Sequence, residues 1–316
     1  MTDTALTGPF PIAVADIPAI NLVFSEAFTE RYRRDGMVGV RVPTLNPAIW
    51  RFALEDAAAG AMLWRDAEGA IAAFNVVHRS GVEGWMGPLA VRTDQQTRGV
   101  GHAIVRAGIQ WLQSEGARVI GLETMPRTVD NIGFYASMGF VPGALTITVT
   151  LDAAIGAPVS RLGTLGAQEQ DDTLAAMRAL TASVLPGVDF TREVEITRAL
   201  GLGDTVLLGD ADQLRGFAVC HAAPLVEGRM REELRVLKVV LADRDDLREL
   251  ADTLAAYARA SGTRRAAVRV QTAQGAVLPE LVAHGARVRW TDLRMTLAGF
   301  GESAPTNGVV LSNWEI

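Results

Sequence analysis

A single cysteine, Cys220, stands among 316 residues. Neither an internal disulfide nor a cysteine-rich metal site can be built from it, which excludes disulfide scaffolds and zinc ribbons. Lysine is almost missing: of 30 basic residues all but Lys238 are arginine, a bias that reads as base composition rather than function. With 36 acidic residues the net charge is −6, and such a balance argues against a nucleic-acid partner, which needs a basic surface. No apolar run reaches the ~18–20 residues of a membrane span. The start Met1-Thr-Asp-Thr lacks the basic and apolar regions of a secretion signal, so a cytoplasmic location and no membrane partner are expected. The four histidines, His78, His102, His221 and His284, show no ligand spacing, and no metal is expected. What is present, 49% hydrophobic and 21% charged, is the composition of a soluble globular protein long enough for two cores.

The chain reads as two copies of one plan. Gly116-Ala-Arg-Val-Ile-Gly-Leu-Glu-Thr lies against Gly262-Thr-Arg-Arg-Ala-Ala-Val-Arg-Val at an offset of 146, and the same offset carries Gly139 to Gly285 and Thr150-Leu151 to Thr296-Leu297. Earlier, residues 62–78 resemble residues 206–221, each reading as a hairpin that ends in histidine. Domains are therefore expected at 1–151 and 159–300, with a linker at 152–158 and a C-terminal tail at 301–316 that packs back through Val309–Leu311 and Trp314.

Within the first half the expected order is strand, helix, three strands, helix, strand, helix, strand. A strand at 11–14 precedes a helix at 18–28, capped by Asp16 with Pro18 in its first turn. The hairpin at 62–78 leads to a third strand at 84–91. Over 99–113, Val100, Ile104, Ala107, Gly108, Trp111 and Leu112 form one apolar stripe of an amphipathic helix. A short strand at 118–125, a short helix at 131–138 stopped by Gly139 and a strand at 144–151 complete an α/β (α+β) layer on a mixed, mostly antiparallel sheet.

Chemistry enters between the third strand and the long helix, at Gln96-Thr97-Arg98-Gly99-Val100-Gly101-His102. Glycines opening a helix let an anion approach its unpaired N–H groups closely. The loop is neither a Walker loop nor a dinucleotide fingerprint, whose third glycine would fall at Ile104. Together with Pro88-Leu89-Ala90-Val91 before it and Asp130-Asn131-Ile-Gly-Phe134-Tyr135-Ala-Ser-Met-Gly139-Phe140 after it, the segment resembles the GNAT family of acetyl-CoA-dependent N-acetyltransferases over about residues 10–151. The resemblance implies a tandem GNAT-like fold with the acetyl-CoA motif in the N-terminal copy, and acetyl-CoA as co-substrate. It implies that backbone amides of Arg98, Gly99, Val100, Gly101 and His102 take the pyrophosphate, with Gln96 and Thr97 shaping the loop. Leu89, Ala90 and Val91 would hold the pantetheine, and Asn131 would hydrogen-bond the cofactor. Tyr135 would give a proton to the leaving thiolate or hydrogen-bond it.

Direct attack on a thioester requires a neutral amine, hence a base. The position at which some family members carry a glutamate is Trp85; Glu83, two residues earlier on the same strand face, is the expected base, directly or through water. Glu123 and His78 are further candidates. The basic cluster Arg31, Arg33, Arg34 near Tyr32 reads as a solvated helix end before it reads as an acceptor contact.

The second half lacks the motif. The offset sets Asp245 opposite Gly99, Leu247 opposite Gly101, and Val277 and Leu281 opposite Asn131 and Tyr135, a degenerate copy without cradle or acid. The function expected is transfer of an acetyl group to a primary amine of a small-molecule or peptide acceptor. The alternative is a non-catalytic acyl-CoA sensor or assembly protein. Either would work as a monomer or homodimer.

Overall fold

The computed structural model describes residues 6–315. In the N-terminal half β1 (Thr7–Pro11), α1 (Ile17–Arg34) and α2 (Pro47–Ala57) precede a meander of β2 (Ala61–Arg65), β3 (Ile71–Ser80) and β4 (Glu83–Val91). There follow α3 (Val100–Ser114), β5 (Val119–Thr124), α4 (Val129–Ser137) and β6 (Phe140–Asp152). The C-terminal half runs α5 (Ala167–Val184), α6 (Thr191–Ala199), β7 (Gly203–Leu208), β8 (Gly216–His221), β9 (Glu233–Leu241), α7 (Leu247–Ala260), β10 (Arg265–Gln271), α8 (Val277–Ala283), β11 (Arg287–Leu297) and β12 (Val309–Ser312).

All twelve strands join one sheet in the order β1-β2-β3-β4-β5-β11-β6-β10-β9-β8-β7, with β12 paired to β9. Among the described residues only β4 with β5 and β9 with β10 run parallel, the geometry a helical crossover through α3 or α7 imposes. Each half lends its last long strand to the other: β11 lies between β5 and β6, and β6 between β11 and β10. The halves therefore share a sheet centre.

Side chains alternate across the strands, so each half has a core on either face. On one face of the N-terminal half, α3 and α4 cover Val77, Met86, Ile104, Leu112, Ile120, Leu122, Tyr135 and Phe140. On the other, α1 and α2 cover Ile20, Trp50, Leu63, Phe74, Val76 and Ala90.

Several sequence expectations change here. Helix α2 was not expected at all. Its start is built by Asn46, whose side chain accepts from Ala48 N at 3.0 Å, with Pro47 in the first turn. It faces two cores, with Trp50 and Ala53 packed into the N-terminal half and Ile49 and Phe52 into the C-terminal half. The first strand lies earlier than expected, and Asp16 does not cap α1 through its side chain; its carboxylate accepts instead from Ala13 N and Arg65 Nη2, each at 2.9 Å. The tail does return, as β12 and then Trp314, which is 1% exposed.

Candidate active site

Strand β4 ends at Val91, and the chain turns through a short 3-10 segment before α3 begins at Val100. Gly99, in the helix N-cap position, takes φ +79°, and Thr97 takes φ +66°, a left-handed pair that tips the loop's N–H groups outward. Gln96 ties the loop to the sheet by donating from Nε2 to Val91 O at 3.0 Å. The result is a cleft of about 290 Å³ lined by Val91, Gln96, Thr97, Gly99, Gly101, His102 and Phe134. Nothing lies within 4 Å of where a Cβ on Gly99 would be, whereas one on Gly101 would sit 3.2 Å from Phe134 Cζ. A side chain at either glycine would project into the cleft, so the residues present fit an anion laid against the helix N-terminus.

Six of these lining residues were expected from the sequence. Phe134 was quoted in the motif but given no role; it forms the wall facing α3 and meets the His102 ring edge-on at 4.8 Å. Val100 and Ala90 are 6% and 4% exposed and their side chains belong to the cores, which leaves only their backbone groups for a ligand. Leu89 is half-buried at the cleft side of the same strand, and Arg98 is exposed beside the loop. Asn131, at the start of α4, donates from Nδ2 to Thr124 Oγ1 at 3.4 Å and bridges α4 to the end of β5. Tyr135 is 7% exposed, packed between Phe134 and Phe140. Burial pushes its phenol above the ordinary value, so it is protonated at neutral pH and available as a donor.

The expected bases are placed differently. Glu83 is 4% exposed and accepts from Ser312 Oγ at 2.6 Å, with Lys238 Nζ 3.9 Å away. It stands at the far end of β4 from Val91, some ~25 Å along the strand at ~3.3 Å per residue. It does not line the cleft, and its burial excludes direct contact with an incoming amine. Glu123 is no base at all. Burial alone would raise its pKa, but the guanidinium groups of Arg269 and Arg294 outweigh this and hold it at about 2. His78 is fully buried, its Nδ1 2.5 Å from Asp56 Oδ2 and its Nε2 3.1 Å from Gly87 O. The arginines in the last turn of α1 are paired locally: Arg33 and Arg34 bond Glu30, and Arg31 pairs with Asp35 and Asp130.

Lys238, dismissed as composition, is a buried hub. It donates to Ser312 Oγ at 2.8 Å and Asn313 O at 3.2 Å, and Glu193 lies 3.8 Å away. The strands that carry Glu83 and Lys238 belong to different halves, so no local pattern announces the contact.

In the C-terminal half α7 opens at Leu247, one residue later than the offset of 146 implies, so Asp246 rather than Asp245 takes the place of Gly99. Leu247 consequently matches Val100 and packs in the core at 2% exposure; it does not occupy the position of Gly101. Asp245, Asp246 and Glu249 crowd the first turn, with Arg215 on Asp246 and Glu249. Their negative charge at this helix end repels a phosphate from it.

Residues 25–140 match the sequence pattern of the Acetyltransferase (GNAT) family. The matched segment contains the Gln96–His102 loop and the α4 motif that carried the resemblance in the sequence, and the fold of the whole chain agrees. A Pyrococcus horikoshii acetyltransferase-like protein superimposes with a TM-score of 0.67 at 16% identity, covering 99% of this chain and 96% of that one. A tandem GNAT protein from the clavulanic acid biosynthesis pathway gives 0.54 at 14% identity over 92% and 98%. Saccharomyces cerevisiae N-myristoyltransferase with bound myristoyl-CoA gives 0.64 at 9% identity over 98% and 85%. At these identities the likeness is one of fold, and it extends the GNAT-like architecture across both halves. No match was found among curated proteins. Among the described residues no helix is long and apolar enough to cross a membrane.

Proposed function

We propose that the chain is an acetyl-CoA-dependent N-acetyltransferase whose single cofactor site lies in the N-terminal half and whose acceptor is a primary amine. The observation that carries this reading is the α3 N-terminus, where a left-handed Gly99 open to solvent and a Gly101 set close to Phe134 leave a cleft bounded by the end of β4 and by α4. The pyrophosphate would meet the amides from Arg98 to His102, and the pantetheine would lie along Leu89, Ala90 and Val91. Asn131 would steady it from α4. When bound, acetyl-CoA supplies a thioester whose C–S bond breaks as the amine's C–N bond forms, one proton leaving the nitrogen and one reaching the sulfur.

Tyr135 is the donor on the sulfur side. A phenol raised by burial holds its proton firmly, so it stabilises the departing thiolate mainly by hydrogen bonding. Glu83 is retained only in the form that acts through water, since nothing larger reaches it. Its enclosure by Ser312 and Lys238 also favours the second reading, a non-catalytic acyl-CoA sensor in which the cradle persists without a base. Thiol release from acetyl-CoA against a broad panel of primary amines separates the two. Amine-dependent release supports the enzyme; tight cofactor binding with no turnover of any amine supports the sensor.

A further inference from the structure

The hydrogen-bonded register of β4 with β5 ends at Met86 and Leu122, and beyond it the strands part. Gly84 on β4 faces α3, for a Cβ there would meet Leu112, so by alternation Trp85 faces the opposite side. On that side two indoles close the fork. Trp85 comes from β4 itself and Trp314 from the tail after β12. A Cβ on Gly121 of β5 would lie 2.2 Å from Trp314 Cζ3 and 2.6 Å from its Cη2, so the six-membered edge of that ring rests on the strand backbone where only glycine admits it. Across the fork, a Cβ on Gly87 would lie 3.7 Å from the Trp314 carbonyl oxygen and 3.9 Å from Trp85 Cζ3. The Trp314 ring edge therefore faces β5, and the Trp85 ring edge lies beside Gly87 on β4.

Neither ring is free to swing. His78 stacks on Trp85 with centroids 3.9 Å apart and planes within 8°, and is itself held by Asp56 and the Gly87 carbonyl. The Arg294 guanidinium lies 3.7 Å from the Trp314 ring centroid and is anchored by Glu123 at 2.9 Å, Glu302 at 2.7 Å and Ser312 O at 2.6 Å. Trp85 and Trp314 are 4% and 1% exposed.

We propose that Trp85 and Trp314 form the end wall of the acyl pocket and restrict the transferred group to a short chain. The inference rests on the proposed function, in which a pantetheine laid along Leu89–Val91 directs its acyl end at this fork. A close-packed wall backed by stacked partners offers no void for further methylenes, and a longer chain must displace a buried indole. The tail thus contributes a specificity residue from the far end of the chain, and Gly121 is the position on β5 that lets it in.

The test is calorimetric binding of acetyl-, propionyl-, butyryl- and hexanoyl-CoA to the full chain and to Trp314→Leu. For the wild type, affinity falls at least about tenfold from acetyl to hexanoyl, the scale on which an apolar pocket discriminates a methylene; in Trp314→Leu the ratio of hexanoyl to acetyl affinity rises about tenfold. Equal wild-type affinity for acetyl and hexanoyl overturns the wall, as does a folded Trp314→Leu with unrelaxed preference. Should that variant fail to fold, the wild-type series alone decides. Absence of binding by every acyl-CoA sinks the reading of the cleft itself, and the wall with it.

Discussion

Thr146 of β6 and Asp292 of β11 face each other as register partners at the centre of the sheet, and they are the same position in the two halves, because the offset that carries Gly116 to Gly262 carries Thr146 to Asp292. An element that pairs with its own copy marks a twofold axis. Glu123 and Arg269 obey the same relation, 146 residues apart and joined by a hydrogen bond of 2.5 Å from Arg269 Nη2 to Glu123 Oε2. Equivalent positions of the two halves thus form an ion pair across the axis. Duplication with strand exchange explains why the two halves do not part.

The pair gives the first prediction. Arg269 is 8% exposed and also bonds Asp292 at 3.0 Å and Glu315 at 2.7 Å. Arg269→Ala leaves three carboxylates crowded at the seam, and breaking a buried pair in this way costs about 3–5 kcal/mol. Chemical denaturation of variant and wild type checks it. A loss under ~1 kcal/mol, the worth of a surface pair, would show that the seam does not depend on this contact.

A second prediction concerns pH. Burial first, and the nearby Asp56 carboxylate second, raise Glu193 to about 8 despite Lys238 and the Ser80 hydroxyl. Between the ordinary value of 4.5 and about 8 the folded chain holds a proton here that the unfolded chain releases. This group's contribution to stability is therefore complete below pH 4.5 and is lost as pH rises to 8, with a slope of at most about 1.4 kcal/mol per pH unit. Glu193→Gln flattens the melting-temperature profile across that window relative to wild type. Parallel profiles for the two proteins would contradict the assignment.

Tyr135 and Glu83 give a third, read by kinetics. With an acceptor in hand, Tyr135→Phe lowers kcat by about 10²-fold, the range for a positioned proton donor, while acetyl-CoA affinity stays near that of wild type. Glu83→Gln lowers kcat while leaving acetyl-CoA affinity near that of wild type if water links it to the amine. An unchanged kcat, together with a lowered melting temperature, assigns Glu83 to the Lys238 cluster alone.

Much of this arrangement was legible in the sequence, because its signals are local. Gln96, Gly99 and Gly101 sit within one turn of a helix start whose apolar stripe is unbroken, and Asn131 and Tyr135 lie on a short helix stopped by Gly139. Helix α2 was legible too and was passed over: Asn46-Pro47 is a cap and first turn, followed by apolar residues at helical spacing. What no local pattern carries is the exchange of β6 and β11, since both orders of pairing satisfy the same alternation. Glu83 was expected as the base from its place on the same strand face as Trp85, and its burial was not legible because the segments that bury it, β9 with Lys238 and the tail with Ser312, are more than 150 residues away.

The central claim is one cofactor site per chain, built on the α3 N-terminus. Calorimetry of acetyl-CoA against the wild type and Gly101→Glu tests it most directly, because a glutamate there both fills the cleft beside Phe134 and sets a negative charge at the phosphate position. A stoichiometry of one is expected for the wild type and no detectable binding for the variant, with an unchanged melting temperature. Two sites per chain, or one site that survives the substitution, would contradict it.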